Sequence, residues 1–384
     1  MEFKAAMQQA SQYLTFSPAF IDPEKPQGLW FCDTVVEAAA IRENAVCLGL
    51  GCRWDDVVRC RPFLEAFPYT DITELENAPY TAANKQYITD CMTFGPLRCG
   101  VAKVGTDGTL ADALALVTVH EKTGWITVAG GTSADWTALV SWIKAREKEA
   151  KSWKAVVFKA AAPDCMHVVN LYNDKVTFAD SRGQVTGEKY TPSLVGLLAA
   201  CNVSRGATNY LCANLKEVTV PEDPDAAVGN GQFLLVNDDL EVHVGVDVNS
   251  LTTTNGSTLT EDMKYVETVE AMDMMRDDIT KAFRDEYLGN YRNSLNNQML
   301  LISAINYYFL QLAQQDILDP EHANRASIDV AAQRSAWVGS GKAEAESWDD
   351  ATVRSNPFKR NVYLSGDVKI LGSMVNLEFV VTLQ

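Results

Sequence analysis

Histidine is scarce: the 384 residues contain only four, His120, His167, His243 and His322. None stands at metal-ligand spacing from another histidine or from a cysteine pair, which argues against a zinc site and leaves each as an ordinary surface or strand histidine. The nine cysteines (Cys32, Cys47, Cys52, Cys60, Cys91, Cys99, Cys165, Cys201, Cys212) are odd in number and contain no C-x-x-C pair. A disulfide framework is therefore not expected, and they read as reduced, mostly buried thiols of a protein made in the cytosol. Basic residues are in deficit, with a formal net charge of -17, so neither nucleic acid nor an anionic membrane is expected as a partner. No apolar run approaches the length of a membrane span. The first residues, Met1-Glu2-Phe3-Lys4-Ala5, lack a basic n-region and an apolar h-region, so no secretion leader is expected. Internal repeats and low-complexity tracts are also missing.

What is present is a chain of 47% apolar residues, long enough for two or three domains with a sizeable core. Its most informative pattern lies at its end. Over residues 361–370, Val362, Leu364, Val368 and Ile370 alternate with Tyr363, Ser365, Asp367 and Lys369. Over residues 375–384, Val375, Leu377, Phe379, Val381 and Leu383 alternate with Asn376, Glu378, Val380 and Thr382. This period-2 patterning predicts two strands forming a terminal hairpin. Strands so apolar at a terminus need a cover, supplied by their own domain or by another copy of the chain.

Upstream, residues 1–25 read as an arm ending in Pro23 and Pro26, and residues 26–80 resist placement, although Val35 to Ile41 has a helical cast. From Thr81 the pattern is regular. Helices are expected over 82–92, 110–120 and 134–150, with strands over 99–104, 125–129 and 153–158 between and after them. Strands separated by helices of this length imply a parallel sheet with crossovers, hence an α/β domain over 81–248. Thr109 with Asp112 and Thr132 with Asp135 carry the capping signature that satisfies orphan helix N–H groups. Further strands are expected over 167–171, 175–178, 233–236 and 240–246, with a helix over 193–201.

A Thr-rich connector, 249–258, opens an α+β region over 249–360. Thr258 with Glu261 reads as a third capping box, heading a helix with Val266, Val269, Met272, Ile279, Phe283 and Leu288 near helical spacing and closed by Gly289 and Asn290. A second long helix is expected over 295–317, with Leu300, Ile302, Ile305, Tyr308, Phe309 and Leu312 as its apolar face. The mostly polar stretch 323–357 reads as one strand and a long loop.

The search for chemistry gives no site. Gly131-Thr132-Ser133-Ala134 sits between a strand and a helix and is similar to the nucleophile turn of subtilisin-like proteases, but His120 is too close in sequence to serve as its partner, so a capped turn explains it. Gly49-Leu50-Gly51 lacks the third glycine of a dinucleotide fingerprint, and Gly339-Ser340-Gly341-Lys342 lacks the first glycine and the hydroxyl of a P-loop. Asp273, Asp277, Asp278, Asp285 and Glu286 read as the solvated side of an amphipathic helix rather than as paired acid and base. No catalytic residue, cofactor or metal is expected, and the protein is not expected to be an enzyme.

The C-terminal third resembles the contractile tail sheath proteins of bacteriophages, phage-tail-like bacteriocins and related contractile injection systems. The likeness rests on Asp247-Val248-Asn249-Ser250-Leu251, on the helix from Val266 through Asp273 to Gly289, on Ile305-Asn306-Tyr307, and on residues 362–383 with Gly366-Asp367-Val368-Lys369. Further upstream, residues 84–88, Ala111 to Leu114, Trp142-Ile143-Lys144, Lys154 to Val157 and Glu2-Phe3-Lys4 resemble the family's central domain and N-terminal arm. Residues 28–80 and 331–361 do not match.

This resemblance implies a central subtilisin-like α/β domain without the protease triad, an α+β C-terminal domain with two long helices and a terminal hairpin, and extended arms over 1–25 and 361–384. It implies a structural subunit, assembled in the bacterial cytoplasm and found in a virion tail or contractile particle. Such a subunit polymerises helically with itself, as stacked hexameric rings, around a tail tube, with baseplate and tail terminator proteins as further partners. Strand exchange between subunits would use Glu2, Phe3, Lys4, Ala5, Val375, Leu377, Phe379, Val381 and Leu383. Arg276, Lys281, Arg284 and Arg292 become candidate tube contacts, with an ordinary solvated face as the alternative. The rival readings are an α/β-hydrolase-like or nucleotide-binding enzyme with a helical appendage, and another tail component.

Overall fold

The computed structural model describes residues 81–96, 99–104, 108–120, 122–201 and 206–376, together with the backbone of four short strands before them. Those are β1 (Glu37–Ala39), β2 (Ile41–Arg42), β3 (Val46–Leu48) and β4 (Phe63–Phe67). Two compact units emerge, one of Pro23–Asp273 with Ser373 onward, the other containing Met274–Gly372. Residues 249–273, assigned from the sequence to the C-terminal region, cluster with the larger unit.

The larger unit is built on a sheet whose parallel part runs β5 (Cys99–Val104), β1, β6 (Gly124–Thr127), β7 (Trp153–Phe158), β8 (Val168–Leu171). Its register is fixed by Glu37 opposite Cys99, Ala38 opposite Ile126, Trp125 opposite Lys154 and Val156 opposite Val169. β4 adds to β5 in the antiparallel sense. The helical cast of residues 35–41 is thus corrected: β1 and β2 pair with β5, and neighbouring strands override local propensity.

Helices α1 (Ala82–Met92), α2 (Leu110–His120) and α3 (Ser133–Lys148) begin where the sequence puts their caps. Thr109 and Asp112 exchange backbone and side-chain hydrogen bonds, and Thr132 with Asp135 forms a complete capping box. Trp153, Ala155 and Val157 on β7 pack with Leu114, Val117, Leu139 and Ile143 of α2 and α3 in one buried cluster. Because side chains alternate along a strand, Lys154 and Val156 point to the other face. There α4 (Thr191–Ala200) packs on β6 and β7 and against α1. A Cβ at Gly196 of α4 would lie 1.8 Å from the Cys91 carbonyl oxygen, so only glycine allows this helix approach.

The remainder of this unit is antiparallel. β9 (Lys175–Phe178) is flanked by β10 (Gln184–Thr186) and β11 (Leu215–Val218), and after the short α5 (Pro224–Gly229) a hairpin joins β12 (Leu235–Asp238) to β13 (Glu241–Val244). Asn249 and Ser250, read as part of a polar connector, are buried. The Ser250 N–H donates to the Val168 carbonyl at 2.7 Å and the Asn249 side chain to the Met263 carbonyl at 2.7 Å. The third capping box does not form: Glu261 instead accepts from Thr254 and pairs with Lys264 in a 3-10 turn, and α6 (Val266–Ala282) begins after it.

In the smaller unit the second half of α6 widens into a π turn, Phe283–Tyr287, and the chain reverses at Gly289 with φ of +81°. α7 (Leu295–Ala313), capped by Ser294, buries Leu301, Ile302, Ile305, Tyr308, Phe309 and Leu312, while Leu300 is only half-buried. β14 (Arg325–Ile328) pairs antiparallel with β15 (Leu364–Asp367). Asn306 of α7 accepts from the Ala326 N–H at 2.6 Å, which gives the Ile305-Asn306-Tyr307 motif the task of pinning the β14 backbone.

One expectation is corrected here. The stretch expected to be a long loop contains α8 (Val330–Gly339) and α9 (Asp350–Ser355), each started by an aspartate cap. Trp337, stacked edge-on against Trp348 and Phe358, gives these helices a core that polar composition conceals. The expected terminal hairpin is described only in its first strand, because residues 377–384 lie outside the described residues. Residues 362, 364, 368 and 370 are half-buried while 365, 367 and 369 are exposed, as the alternation requires. Yet the partner of this strand is β14, and residues 371–376 form no strand. Periodicity fixes the face of a strand and not the strand beside it.

Candidate functional site

The densest polar cluster lies in the larger unit, where the first half of α6 meets the sheet. Lys154 of β7 is buried, and its Nζ lies 2.9 Å from Glu270 Oε2 and 2.9 Å from Asp273 Oδ2. The Trp125 indole N–H donates to the other Glu270 oxygen at 2.9 Å. His167, just before β8, places Nε2 3.1 Å from Asp273 Oδ2 and Nδ1 2.8 Å from Glu147 Oε2 at the end of α3. The Cys165 thiol donates to the same Glu147 oxygen at 3.2 Å.

The electrostatics follow from this alternation of charges. Burial pushes the His167 pKa down, but the charge and hydrogen bonds of Asp273 and the hydrogen bond to Glu147 outweigh it, raising the pKa to about 9. Burial likewise works against Lys154, and Asp273 and Glu270 together hold its pKa above the ordinary lysine value. Burial raises Glu147 too, yet the His167 hydrogen bond and charge bring it below the usual carboxylate value. Burial, reinforced by the Glu147 charge, pushes the Cys165 thiol well up. The cluster is therefore a lattice of imidazolium, ammonium and carboxylates.

Glu147, Cys165 and His167 are the group of possible metal donors found among the described residues. Three donors fall short of the four that a structural zinc site uses. Both imidazole nitrogens are engaged by carboxylates and the thiol is held protonated, so the arrangement is already satisfied as an ion-pair lattice. It offers neither a thiolate nucleophile nor a free base.

Several site expectations are corrected by this geometry. Asp273, placed by the sequence on a solvated helix side, is buried between Lys154 and His167. Asp278 also turns inward and accepts from the Tyr308 hydroxyl at 2.6 Å; burial holds its pKa well above the usual carboxylate value. His167, read as an ordinary surface or strand histidine, is buried in the core. One signal of this was available: Lys154 stands in the apolar run Trp153–Phe158, and a lysine in a strand covered on both faces needs a buried partner.

The residues singled out for assembly are placed as follows. Glu2, Phe3, Lys4, Ala5, Leu377, Phe379, Val381 and Leu383 lie outside the described residues. Val375 is described and partly exposed, and Met374 before it is fully exposed. Arg276 on α6 pairs with Asp277 at 3.4 Å, and Arg284 on the π turn pairs with Asp285 at 2.8 Å. Lys281 and Arg292 are exposed. Neighbouring ion pairs of this kind are worth about 0–1 kcal/mol, so stability does not explain these cations.

Comparison with known proteins finds tail sheath proteins. A model of the phage tail sheath C-terminal domain matches residues 258–384. The end of this chain is similar to a tail sheath domain. The tail sheath protein of Clostridium phage phiCD119 is 25% identical over 323 residues, covering 80% of this chain and 88% of that protein. In fold, the chain is similar to the anti-feeding prophage helical sheath in its contracted state, with a TM-score of 0.61 over 90% of this chain and 92% of that one, at 15% identity. It is also similar to the contracted sheath of an extracellular contractile injection system, with a TM-score of 0.57 over 91% of each chain at 10% identity. A crystallised sheath tail protein of Desulfitobacterium hafniense aligns with a TM-score of 0.50 at 21% identity over 60% of this chain, which takes in 57% of that protein. The sheath resemblance read from the sequence is thereby supported, and the proteins matched are structural sheath proteins, not enzymes. The fold they share is a mixed α/β sheath fold. Among the described residues no helix is long and apolar enough to cross a membrane.

Proposed function

We propose that this protein is the structural subunit of a contractile tail sheath, polymerising with itself around a tail tube and contracting to drive that tube through a target envelope. The single observation that carries this reading is the tail sheath C-terminal domain match over residues 258–384. The fold likeness over nine-tenths of the chain to a contracted helical sheath supports it. In this reading the α/β part over 81–248 corresponds to a subtilisin-like domain without the protease triad, and the region over 249–360 with its two long helices, α6 and α7, is the C-terminal sheath domain. The arms, 1–25 and 361–384, would join neighbouring subunits by β-augmentation, in which backbone hydrogen bonds supply affinity and alternating side chains fix register. Each such bond contributes about 0.5–1.5 kcal/mol net, and repetition at every subunit makes a mesh that changes pitch without parting. Contraction is a switch between two helical packings and uses no nucleotide.

Partners under this proposal are other copies of the chain, a tube protein facing Arg276, Lys281, Arg284 and Arg292, a baseplate and a terminator. Assembly takes place in the bacterial cytoplasm, and the product is a phage tail, a bacteriocin or another contractile particle. Negative-stain microscopy of the purified full chain is expected to show striated cylinders or tubules. Discrete particles of constant size at all concentrations and salts would refute the reading.

A further inference from the structure

The smaller unit ends at Gly372, and from Ser373 onward the chain clusters with the larger unit. One side chain catches it there. The Ser373 N–H donates to Glu267 Oε1 at 2.8 Å and the Ser373 hydroxyl to Glu267 Oε2 at 2.6 Å, so a single carboxylate takes both donors of one residue. On either side of this contact the chain is bare: residues 371–376 are all exposed, Met374 fully so. Attachment at two points fixes direction as well as position, and hydrogen bonds to an ionised acceptor are the strong members of their class.

The post to which Ser373 is tied is itself rigid. Glu267 stands on the first turn of α6, and that turn is fixed by the Val266 N–H, which donates to the Asp247 carbonyl at 2.8 Å, and by the Glu267 backbone N–H, which donates to the Asp247 carboxylate. Further along, Val269 is buried, and Glu270 and Asp273 are held by Lys154 of β7. Electrostatics turn the Glu267 side chain toward the arm. Asp247 is buried and engaged by the Thr208 hydroxyl at 2.8 Å, and burial together with the Glu267 charge raises its pKa to about 6. Neighbouring carboxylates repel, so the half-buried Glu267 is best satisfied by donors away from Asp247, and Ser373 supplies two. We propose that Glu267 is a positioning residue for assembly: it fastens the root of the C-terminal arm to the larger unit, so that residues 374–384 set out in a direction which that unit dictates. A strand presented from a fixed root loses less freedom on pairing with another copy, and its effective concentration at the acceptor is higher. An unfastened arm would pivot instead from Leu371, whose N–H donates to the Ile317 carbonyl of the smaller unit at 3.0 Å. The role in assembly rests on the sheath reading, but the fastening itself does not.

Glu267→Ala in the full chain tests both parts. Hydrogen exchange over residues 371–376, measured below the concentration at which the chain assembles, is expected to quicken about 5–10-fold, while exchange over α7 stays as it is. The protein concentration needed for tubules, read by sedimentation, should rise about 10-fold as the effective concentration of the arm falls. Glu267→Gln keeps one acceptor oxygen and should lie between Glu267→Ala and wild type. Ser373→Pro removes both donors at an exposed residue and should match Glu267→Ala in assembly, which separates loss of the fastening from damage to α6. Unchanged exchange over 371–376 in Glu267→Ala, or tubules from Glu267→Ala and Ser373→Pro at the wild-type concentration, overturns the proposal. A wild-type chain that forms no tubules while Glu267→Ala still quickens exchange would refute the sheath reading and leave the fastening in place.

Discussion

Lys154→Met is expected to destabilise the protein by about 3–5 kcal/mol, the cost of leaving a buried ionic partner uncompensated. Lys154 lies between two carboxylates, and its shape is close to that of methionine, so the substitution removes charge without opening a large cavity. What remains is Glu270, whose pKa burial already raises and Lys154 lowers, and Asp273, left with His167 as its cation. Restoring neutrality should undo part of the damage: Lys154→Met with Glu270→Gln keeps the hydrogen bond acceptor for the Trp125 indole and removes the stranded charge. Denaturant unfolding followed by tryptophan fluorescence is a direct readout, since Trp125 and Trp153 are buried beside the change. A single variant within about 1 kcal/mol of wild type, the value of an exposed pair, would mean that the lattice is not structural.

The same lattice makes stability depend on pH in a defined window. His167 has its pKa raised from the ordinary 6.5 to about 9, so the folded chain binds a proton that the unfolded chain releases earlier. The stabilisation is complete below pH 6.5 and is lost as pH rises through 9, at a slope of about 1.4 kcal/mol per unit and a total of about 3 kcal/mol. Lys154, with its pKa raised, stays charged throughout this window. His167→Gln should lose most of that pH dependence while its amide N–H keeps a hydrogen bond to one of the two carboxylates. Unfolding free energies at pH 6.5 and 9 in the two chains test it, and equal slopes would remove His167 from the account.

Legibility in the sequence followed the range of the forces involved. Helices α1 and α2 and strands β5, β7 and β9 fall on the residues that periodicity and caps marked, because Thr109 with Asp112 and Thr132 with Asp135 act within three residues. Where the deciding partner is distant, local pattern misled. Residues 37–39 and 41–42 are strand because of β5 and β6, and β15 pairs with the more distant β14. Asp273 looked solvated because neither Lys154 nor His167 is near it in sequence, and a carboxylate's partner cannot be read from its own helix.

Deleting residues 375–384 is expected to abolish polymerisation while leaving a folded monomer. Upstream of the cut, the structure has its own fastenings: Ser373 is held twice by Glu267, β15 is paired with β14, and the Leu371 N–H donates to the Ile317 carbonyl at 3.0 Å. The buried residues of α7 and of the parallel sheet all lie upstream of the cut. Thermal unfolding is expected to shift by only a few degrees, on the order of 1 kcal/mol. What the deletion does remove is the alternating set Val375, Leu377, Phe379, Val381 and Leu383. In strand addition such a set supplies register while the backbone supplies affinity. The loss is cooperative, because a subunit without a donor strand ends the mesh wherever it enters, so sub-stoichiometric truncated chain should also shorten wild-type tubules. Sedimentation and microscopy of the pure and mixed proteins measure both effects. Tubules of normal length from the truncated chain alone would show that residues 375–384 do not join subunits, and the linkage would then have to be sought in the N-terminal arm around Glu2 to Ala5.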